Sequence, residues 1–475
     1  MNQHTAPLAE ALAQQILNEY IPFDVPGHKG RLQELRDYYG QRCVLLDKNS
    51  RGSIDYLCQP RSVIREAEQL AAAAFGARDA FFMVGGTTSS VQAMIMAACN
   101  PGDKIILPRN VHFSVINAVI LAGAIPVYIE PAVHPKLGIA LGVQMDDVAL
   151  CIQQNRDAKA IFVNNPTYYG ICSNLEGITR MAHAHQMLVL ADEAHGTHFY
   201  FNHKLPRAAM HCGVDLSAIS MHKTGGSLTQ SSILLSNGAL DREIINNTIN
   251  LMRTTSASYL LLSSLDLARR NLALQGGPLL DMVLLNATQA RDQINTIGGY
   301  YAFSSEIVDG DAVANFDQTK LSIHTSEIGL SGIEVYALLR DEYHIQIEFG
   351  DMRNILALCS LGDRCEDLEL LADALRKIKK RHRPHGLNCP VYEYVTPDIV
   401  FAPREAFYAP KQRLHISQCA NRICADFVMS YPPGIPLLAP GERITRNIID
   451  HILFAAEKGC SISGLMENST LLVIQ

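Results

Sequence analysis

The sequence predicts an α/β protein with a mostly parallel central sheet and a smaller α+β domain following it in the chain. Three observations carry this reading. From residue 63 onward, short apolar runs alternate with longer amphipathic segments, the pattern of strands and helices wound into a sheet covered on both faces. Most apolar runs end in glycine, hydroxyl, acidic or histidine residues, so chemistry collects along one sheet edge, where open α/β sheets place their ligands. After Gly298-Gly299 the alternation gives way to a few strand-like runs and amphipathic helices.

Residues 7–20 read as a short amphipathic helix, and 21–30 as extended chain broken by Pro22 and Pro26. Residues 1–60 form an N-terminal arm, and 61–300 a large domain. Within the latter, a helix over 63–74 stops at Gly76. Strands follow at 80–84, 104–107, 125–129, 160–163, 187–191, 216–220 and 232–235, with helices at 90–98, 112–122 and 175–185. Residues 240–300 are predominantly helical, interrupted by the hydroxyl-rich Thr254-Thr-Ser-Ala-Ser-Tyr259. Residues 301–475 form the smaller domain, with strands at 343–349 and 355–360, a helix at 363–379, and a proline-containing connection near 383–400. Tyr431-Pro-Pro-Gly-Ile-Pro436 follows as a turn whose prolines fix φ, and the last element is a helix at 443–458. That turn either shapes a pocket or joins two elements.

Ala218-Ile-Ser-Met-His-Lys-Thr-Gly-Gly-Ser-Leu-Thr-Gln-Ser-Ser232 is the most informative stretch. Lys223 is boxed in by glycines and small hydroxyl residues. A surface lysine in a polar turn is one reading. The other is an amine with a lowered pKa that attacks a carbonyl to form a Schiff base, for which pyridoxal 5'-phosphate (PLP) is the common biological partner. Upstream, the run at 187–191 ends in Asp192-Glu-Ala-His195-Gly196. An acid at such a strand end suits a pyridine nitrogen, which a carboxylate keeps protonated, and it equally suits a helix cap. Asp192 is the better placed, with Glu193 second. Gly85-Gly86-Thr87-Thr88-Ser89-Ser90 joins a strand to a helix, an anion cradle of hydroxyls and helix-terminal N–H groups. Thr88 and Ser89 serve equally as N-caps. Tyr168 or Tyr169, in the loop Asn164-Asn-Pro-Thr-Tyr-Tyr-Gly170, either lines the pocket or packs. His195, His198 and His203 match no zinc spacing, so no metal is expected. His222, beside Lys223, is a second candidate for moving protons.

Together these motifs resemble the fold-type-I PLP-dependent enzymes, and specifically the Orn/Lys/Arg decarboxylase family in a short form without an N-terminal regulatory domain. The likeness runs through Val25-Pro-Gly-His-Lys29, Gly86-Thr-Thr-Ser89, Leu107-Pro-Arg-Asn-Val-His112, Asp192-Glu-Ala-His195, the lysine stretch, Thr254–Tyr259, and Ser430-Tyr-Pro-Pro-Gly-Ile-Pro436 with Pro440-Gly-Glu442. It implies that Lys223 carries the cofactor and Asp192 pairs the ring nitrogen. Thr87, Thr88, Ser89 and Ser220 would hold the phosphate, His112 would stack on the ring, and His195 and His222 would complete the pocket. It implies loss of carbon dioxide from a basic or modified basic amino acid, in polyamine biosynthesis. It also implies a homodimer or dimer of dimers with shared active sites, the arm and the 254–258 loop facing a neighbour's cofactor; an arm that merely straps its own surface is the other reading. The sequence departs from the family at Asn49–Tyr56, where a glutamate is missing, at Phe113, where a lysine is usual, and at Ser417-Gln-Cys-Ala420, where acids are usual. These changes predict a weakened grip on lysine, ornithine or arginine. Another PLP reaction on the same scaffold (lyase, cyclase or aminotransferase) is the alternative, and a non-catalytic PLP-binding protein a third.

A net charge of −7 and a pI near 6.2 oppose nucleic-acid binding. The twelve cysteines are scattered without a CxxC pair, which favours reduced thiols and a cytoplasmic location. The N-terminus has no secretory pattern. No apolar run approaches the ~20 residues needed to cross a bilayer, so no membrane partner is expected.

Overall fold

The computed structural model describes residues 1–18, 20–49, 54–382, 397–431 and 435–475. Parts of the arm loop 49–56, the connection near 383–400 and the turn 431–436 lie outside the described residues. The chain divides into two compact units, Met1–Ala98 with Val189–Leu280, and Cys99–Leu188 with Asp281–Gln475.

The first strands are β1 (Asp79–Met83), β2 (Lys104–Pro108), β3 (Ile125–Ile129), β4 (Ala160–Asn164), β5 (Ile171–Cys172), β6 (Leu188–Asp192), β7 (Leu216–Ile219) and β8 (Ser232–Ser236). In the first unit β1, β8, β7 and β6 are successive neighbours in a sheet, and in the second β4, β2 and β3 are. In the second unit β2 runs parallel to both β3 and β4. In the first, β6 and β7 are parallel, while β8 is antiparallel to both its neighbours, β7 and β1. The exception has a simple cause. Residues 220–231 contain only the one-turn helix Met221–Thr224, too little for the crossover a parallel neighbour requires. Phe81, Phe82, Ile105, Ile106, Ile161, Val189 and Leu234 are at most 1% exposed, as expected of strands covered on both faces.

The helix Pro7–Leu17 is docked on its own unit. Leu8 and Leu12 are fully buried. Asp266 Oδ2 accepts from Leu8 N at 3.0 Å and Ala9 N at 3.4 Å, at the helix N-terminus. Arg269 pairs with Asp266 and donates to Gln3 O at 3.2 Å and Thr5 O at 2.7 Å. Farther along the arm, Tyr20, Ile21 and Val25 are exposed, and Phe23 is 94% exposed. Asp55 is spent on the helix Val63–Ala74: its carboxylate accepts from Ser62 N at 2.8 Å and Ile64 N at 3.1 Å, and Arg61 N and Tyr56 N also donate to it.

In the second unit, β9 (Tyr301–Phe303), β10 (Asn315–Phe316), β11 (Lys320–His324), β12 (Phe349–Gly350) and β13 (Asn354–Leu358) follow. Four of them form an antiparallel sheet in the order β12-β13-β11-β9, and β10 pairs with β5. The run at 343–349 does not form the expected strand. A Ser331–Glu334 capping box starts a helix that runs to Tyr343, and His344 ends it in the left-handed region at φ 56°, leaving only Phe349–Gly350 to pair. Nor is the helix Arg446–Glu457 the last element. Among β14 (Lys411–His415), β15 (Val428–Tyr431), β16 (Ile435–Leu438), β17 (Ser461–Ser463) and β18 (Thr470–Ile474), the final two follow it. β18 pairs with β14 and buries Leu471 and Val473 against Ile448 and Ile452. The short apolar run Leu471-Leu-Val-Ile474 was the available signal.

Asp266→Ala leaves the Arg269 guanidinium buried without its counter-charge, which costs ~3–5 kcal/mol. The variant is expected to lose several degrees in Tm and to be cleaved near residues 1–20 in limited proteolysis. An unchanged cleavage pattern would show that the arm helix is held by other contacts.

Candidate active site

The glycine loop leaves β1 and enters the helix Gly86–Ala98. This helix starts four residues earlier than the sequence pattern indicated, so Thr88 and Ser89 lie in its first turn and are not N-caps. Gly86 takes φ 72°, a left-handed conformation that favours glycine. A Cβ on Gly85 would fall 2.5 Å from Ser89 Oγ, so a side chain is excluded where the chain turns back on its first helical residues. Ser89 Oγ donates to Gly86 O at 2.9 Å, and Thr88 is half-buried beside it.

Behind the loop lies a buried chain of hydroxyls. Thr87 Oγ1 is hydrogen-bonded to Ser220 Oγ and donates to Ser232 Oγ at 3.2 Å. Ser90 Oγ lies 2.8 Å from Ser232 Oγ, which donates to Ile219 O at 2.8 Å. Gly86 N donates to Gln230 O at 2.8 Å, tying the glycine loop to the lysine loop. Ser90 and Ser232 had no assigned role from sequence. The antiparallel register that sets Met83 opposite Ser232 brings them in, and that pairing leaves no local signal.

The lysine follows β7. Lys223 Nζ lies 2.8 Å from Nε2 of buried His195. Thr197 Oγ1 donates to Ser220 O at 3.0 Å, fixing the His195 turn against the lysine loop. His222 turns Nδ1 to Ser231 O at 2.9 Å. A carbonyl only accepts, so Nδ1 carries the hydrogen. Asp192 ends β6, half-buried, with Oδ1 accepting from Ala194 N at 3.0 Å. Burial pushes its carboxyl above the usual range, and the nearby Lys223 ammonium and the Ala194 N–H only partly offset this.

Strand alternation sends the neighbouring acid elsewhere. Glu193 is fully buried and accepts from Tyr200 OH, from Ser217 Oγ at 2.9 Å and from Ala209 N at 2.8 Å. Desolvation pushes it up to about 8 despite these donors, and the charge of Asp192 adds to the rise. Glu193 therefore cross-links the segments behind the site, and Asp192 is the acid beside the lysine. His112 belongs to the second unit. It caps the helix Phe113–Ala122, with Nδ1 accepting from Ser114 N at 3.3 Å. Tyr169 packs edge-on against Phe349 and donates to Asp351. Among the described residues, no group of three or more His, Cys, Asp or Glu could hold a metal ion.

These residues fit PLP. They supply a side-chain-free helix start with hydroxyls for a phosphate, an amine beside an imidazole, and a desolvated carboxyl whose charge a pyridinium would balance.

Residues 6–367 match the Orn/Lys/Arg decarboxylase major domain, and residues 390–468 match the Orn/Lys/Arg decarboxylase C-terminal domain. The chain belongs to the Orn/Lys/Arg decarboxylase family and is a basic amino-acid decarboxylase of the fold-type-I class. It is 40% identical over 482 residues to the arginine decarboxylase of Bacillus subtilis, covering 100% of this chain and 98% of that protein. The arginine decarboxylase of Bacillus anthracis is 40% identical over 471 residues, covering 98% of this chain and 96% of that protein. The crystal structure of the Francisella novicida lysine decarboxylase superposes with a TM-score of 0.87 at 20% identity, over 99% of this chain and 81% of that one.

The proton held by buried Glu193 ties stability to pH. Its folded pKa, about 8, lies above the unfolded value of 4.5. Its contribution is therefore complete below the unfolded value and is lost as pH rises through about 8. Glu193→Gln stays neutral throughout, so the Tm of the variant minus that of the natural protein should grow steadily from about pH 5 to about pH 8.5. A pH-independent difference would show that Glu193 is ionised in the fold.

Proposed function

We propose that the chain removes the α-carboxylate of arginine as carbon dioxide, using PLP carried on Lys223. The observation that supports arginine is the end-to-end likeness to arginine decarboxylases, at 40% identity over 482 residues. The arm-loop departures had predicted a weak grip on ordinary basic side chains. Asp55, the arm acid retained there, is committed to backbone N–H groups, so the side chain must be held by other groups.

In this reading Thr87, Thr88, Ser89 and Ser220 would hold the phosphate, Asp192 would pair with the ring nitrogen, and His112 would stack on the ring. PLP, when bound, supplies the sink for the electron pair left as the carboxylate departs. The chain's own residues do the rest. His195 Nε2, 2.8 Å from Lys223 Nζ, shares a proton with the amine, and this pair returns a proton to the substrate Cα. His222 orients the loop through Nδ1, which leaves only Nε2 for proton transfer.

The same reading makes the protein a cytoplasmic homodimer, or dimer of dimers, with shared active sites, acting in polyamine biosynthesis. Supporting it are the exposed Tyr20, Ile21 and Phe23 of the arm and the exposed loop at 254–256. The base of that loop is joined to the arm: Arg253 Nη1 donates to Leu57 O at 2.6 Å, and Tyr259 OH donates to Asp55 O. No helix among the described residues is long and apolar enough to cross a membrane. The same reading divides the chain into an arm (1–60), a large domain (61–300) and a small domain (301–475). Support for this division is the antiparallel sheet that begins with Tyr301–Phe303.

Carbon dioxide should be released from carboxyl-labelled arginine in preference to lysine and ornithine. Retention of the label in product would point to transamination or ring closure instead. Borohydride should fix the cofactor on Lys223. Lys223→Ala should lower turnover by at least ~10²-fold, and His195→Ala by ~10²–10⁴-fold. Sedimentation should give a dimer or larger, and mixing Lys223→Ala subunits with arm-loop variants should restore part of the activity. A fully active monomer would remove the shared-site reading.

A further inference from the structure

The segment matching the C-terminal domain carries none of the residues assigned to the cofactor, yet it grips one helix at both ends. That helix, Phe113–Ala122, begins at His112, whose Nδ1 also lies 2.8 Å from Ser114 Oγ. Three residues earlier, Arg109 leaves β2 only 2% exposed. Its backbone N donates to Ile129 O at 2.9 Å, and its Nη2 donates to Glu442 Oε2 at 2.9 Å and to Leu437 O at 3.3 Å. The guanidinium carbon sits 5.1 Å from the Tyr128 ring centroid. Glu442 is also buried, and its Oε2 accepts from Ala439 N at 2.7 Å. At the far end of the helix, Arg404 Nη1 donates to Leu121 O at 3.1 Å. Gly123 lets that arginine approach, since a Cβ there would fall 3.1 Å from the same Nη1.

We propose that the Arg109–Glu442 pair is a positioning latch through which the C-terminal domain sets His112 for the cofactor ring, a role that rests on the assignment of His112 to that ring. Arg109 and Glu442 are both buried and joined through Nη2 and Oε2, so opening the contact strands an uncompensated charge and the pair resists separation. Little slack separates it from His112. Asn110 and Val111 are both buried, and Asn110 O accepts from Asn164 Nδ2 at 3.0 Å. A shift at Arg109 is therefore passed to the histidine. The motifs Leu107-Pro-Arg109 and Pro440-Gly-Glu442, distant in sequence, become the two halves of one device.

The test is a double-mutant cycle on the holoenzyme with E442Q, H112A and the double variant. Its readout is the half-time for loss of the bound cofactor's visible absorbance on dialysis. E442Q should shorten that half-time by at least ~5-fold in the natural background and by less than ~2-fold when His112 is already alanine. Equal shortening in both backgrounds would overturn the latch, because the C-terminal domain would then act without His112. So would an unchanged E442Q holoenzyme beside a leaky H112A, an outcome that leaves the ring assignment standing. An unaffected H112A removes the ring assignment itself, and the latch with it. If E442Q does not fold, E442D enters the cycle in its place, with the same non-additivity required.

Discussion

The charge on Lys223 is the constraint around which the first unit is arranged. An ammonium in a partly buried loop must share its proton, be balanced or be neutral. Here it meets an imidazole at 2.8 Å, in a loop whose neighbours are glycines and hydroxyls. The adjoining elements follow from that requirement. Thr197 pins the histidine turn to the lysine loop, the hydroxyl chain through Ser232 pins the lysine loop to the glycine loop, and Asp192 brings a carboxyl to the neighbouring strand end. The two consecutive acids part company because a strand alternates its faces. One is left with too little compensation for its charge, and the other is buried deeply enough to keep its proton.

The parts of the site legible in the sequence were those whose chemistry is local. The strand end carrying Asp192 and the turn after β7 carrying Lys223 were readable because an apolar run and the polar residues after it are contiguous. The start of the helix Gly86–Ala98 was misplaced because a glycine at positive φ is a poor helix former that nevertheless suits the entry turn. Ser232, Ser90 and the Arg109–Glu442 pair were invisible for a different reason. Their partners are set by strand register or by packing between distant segments, and neither leaves a periodic trace. The run at 343–349 suggested a strand, but a capped helix had already taken the chain through Tyr343. Most central strands and helices lay within a residue or two of their expected ends, since buried parallel strands advertise themselves as short unbroken apolar runs.

The arm shows how one segment can be tied at some points and exposed at others. Its first helix is fastened by a buried acid–arginine pair reaching from the helix Tyr259–Ile297. Its last acid, Asp55, caps the helix Val63–Ala74. Between them lies the apolar stretch that includes the strongly exposed Phe23. Anchoring both flanks limits the region the stretch can sample, which lowers the entropy cost of ordering it against another surface.

The pairing of β1 with β8 also bears on the order of events during synthesis. Met83 and Ser232 stand opposite one another in the sheet, so the glycine loop is made long before the strand that completes its hydroxyl backing. While the chain emerges from the ribosome, the Thr87 hydroxyl has neither Ser220 nor Ser232 to meet. The anion cradle is therefore a late product of translation. The nascent chain must carry β1 as an unpaired edge through the making of every intervening strand, which makes this strand a natural contact for a chaperone.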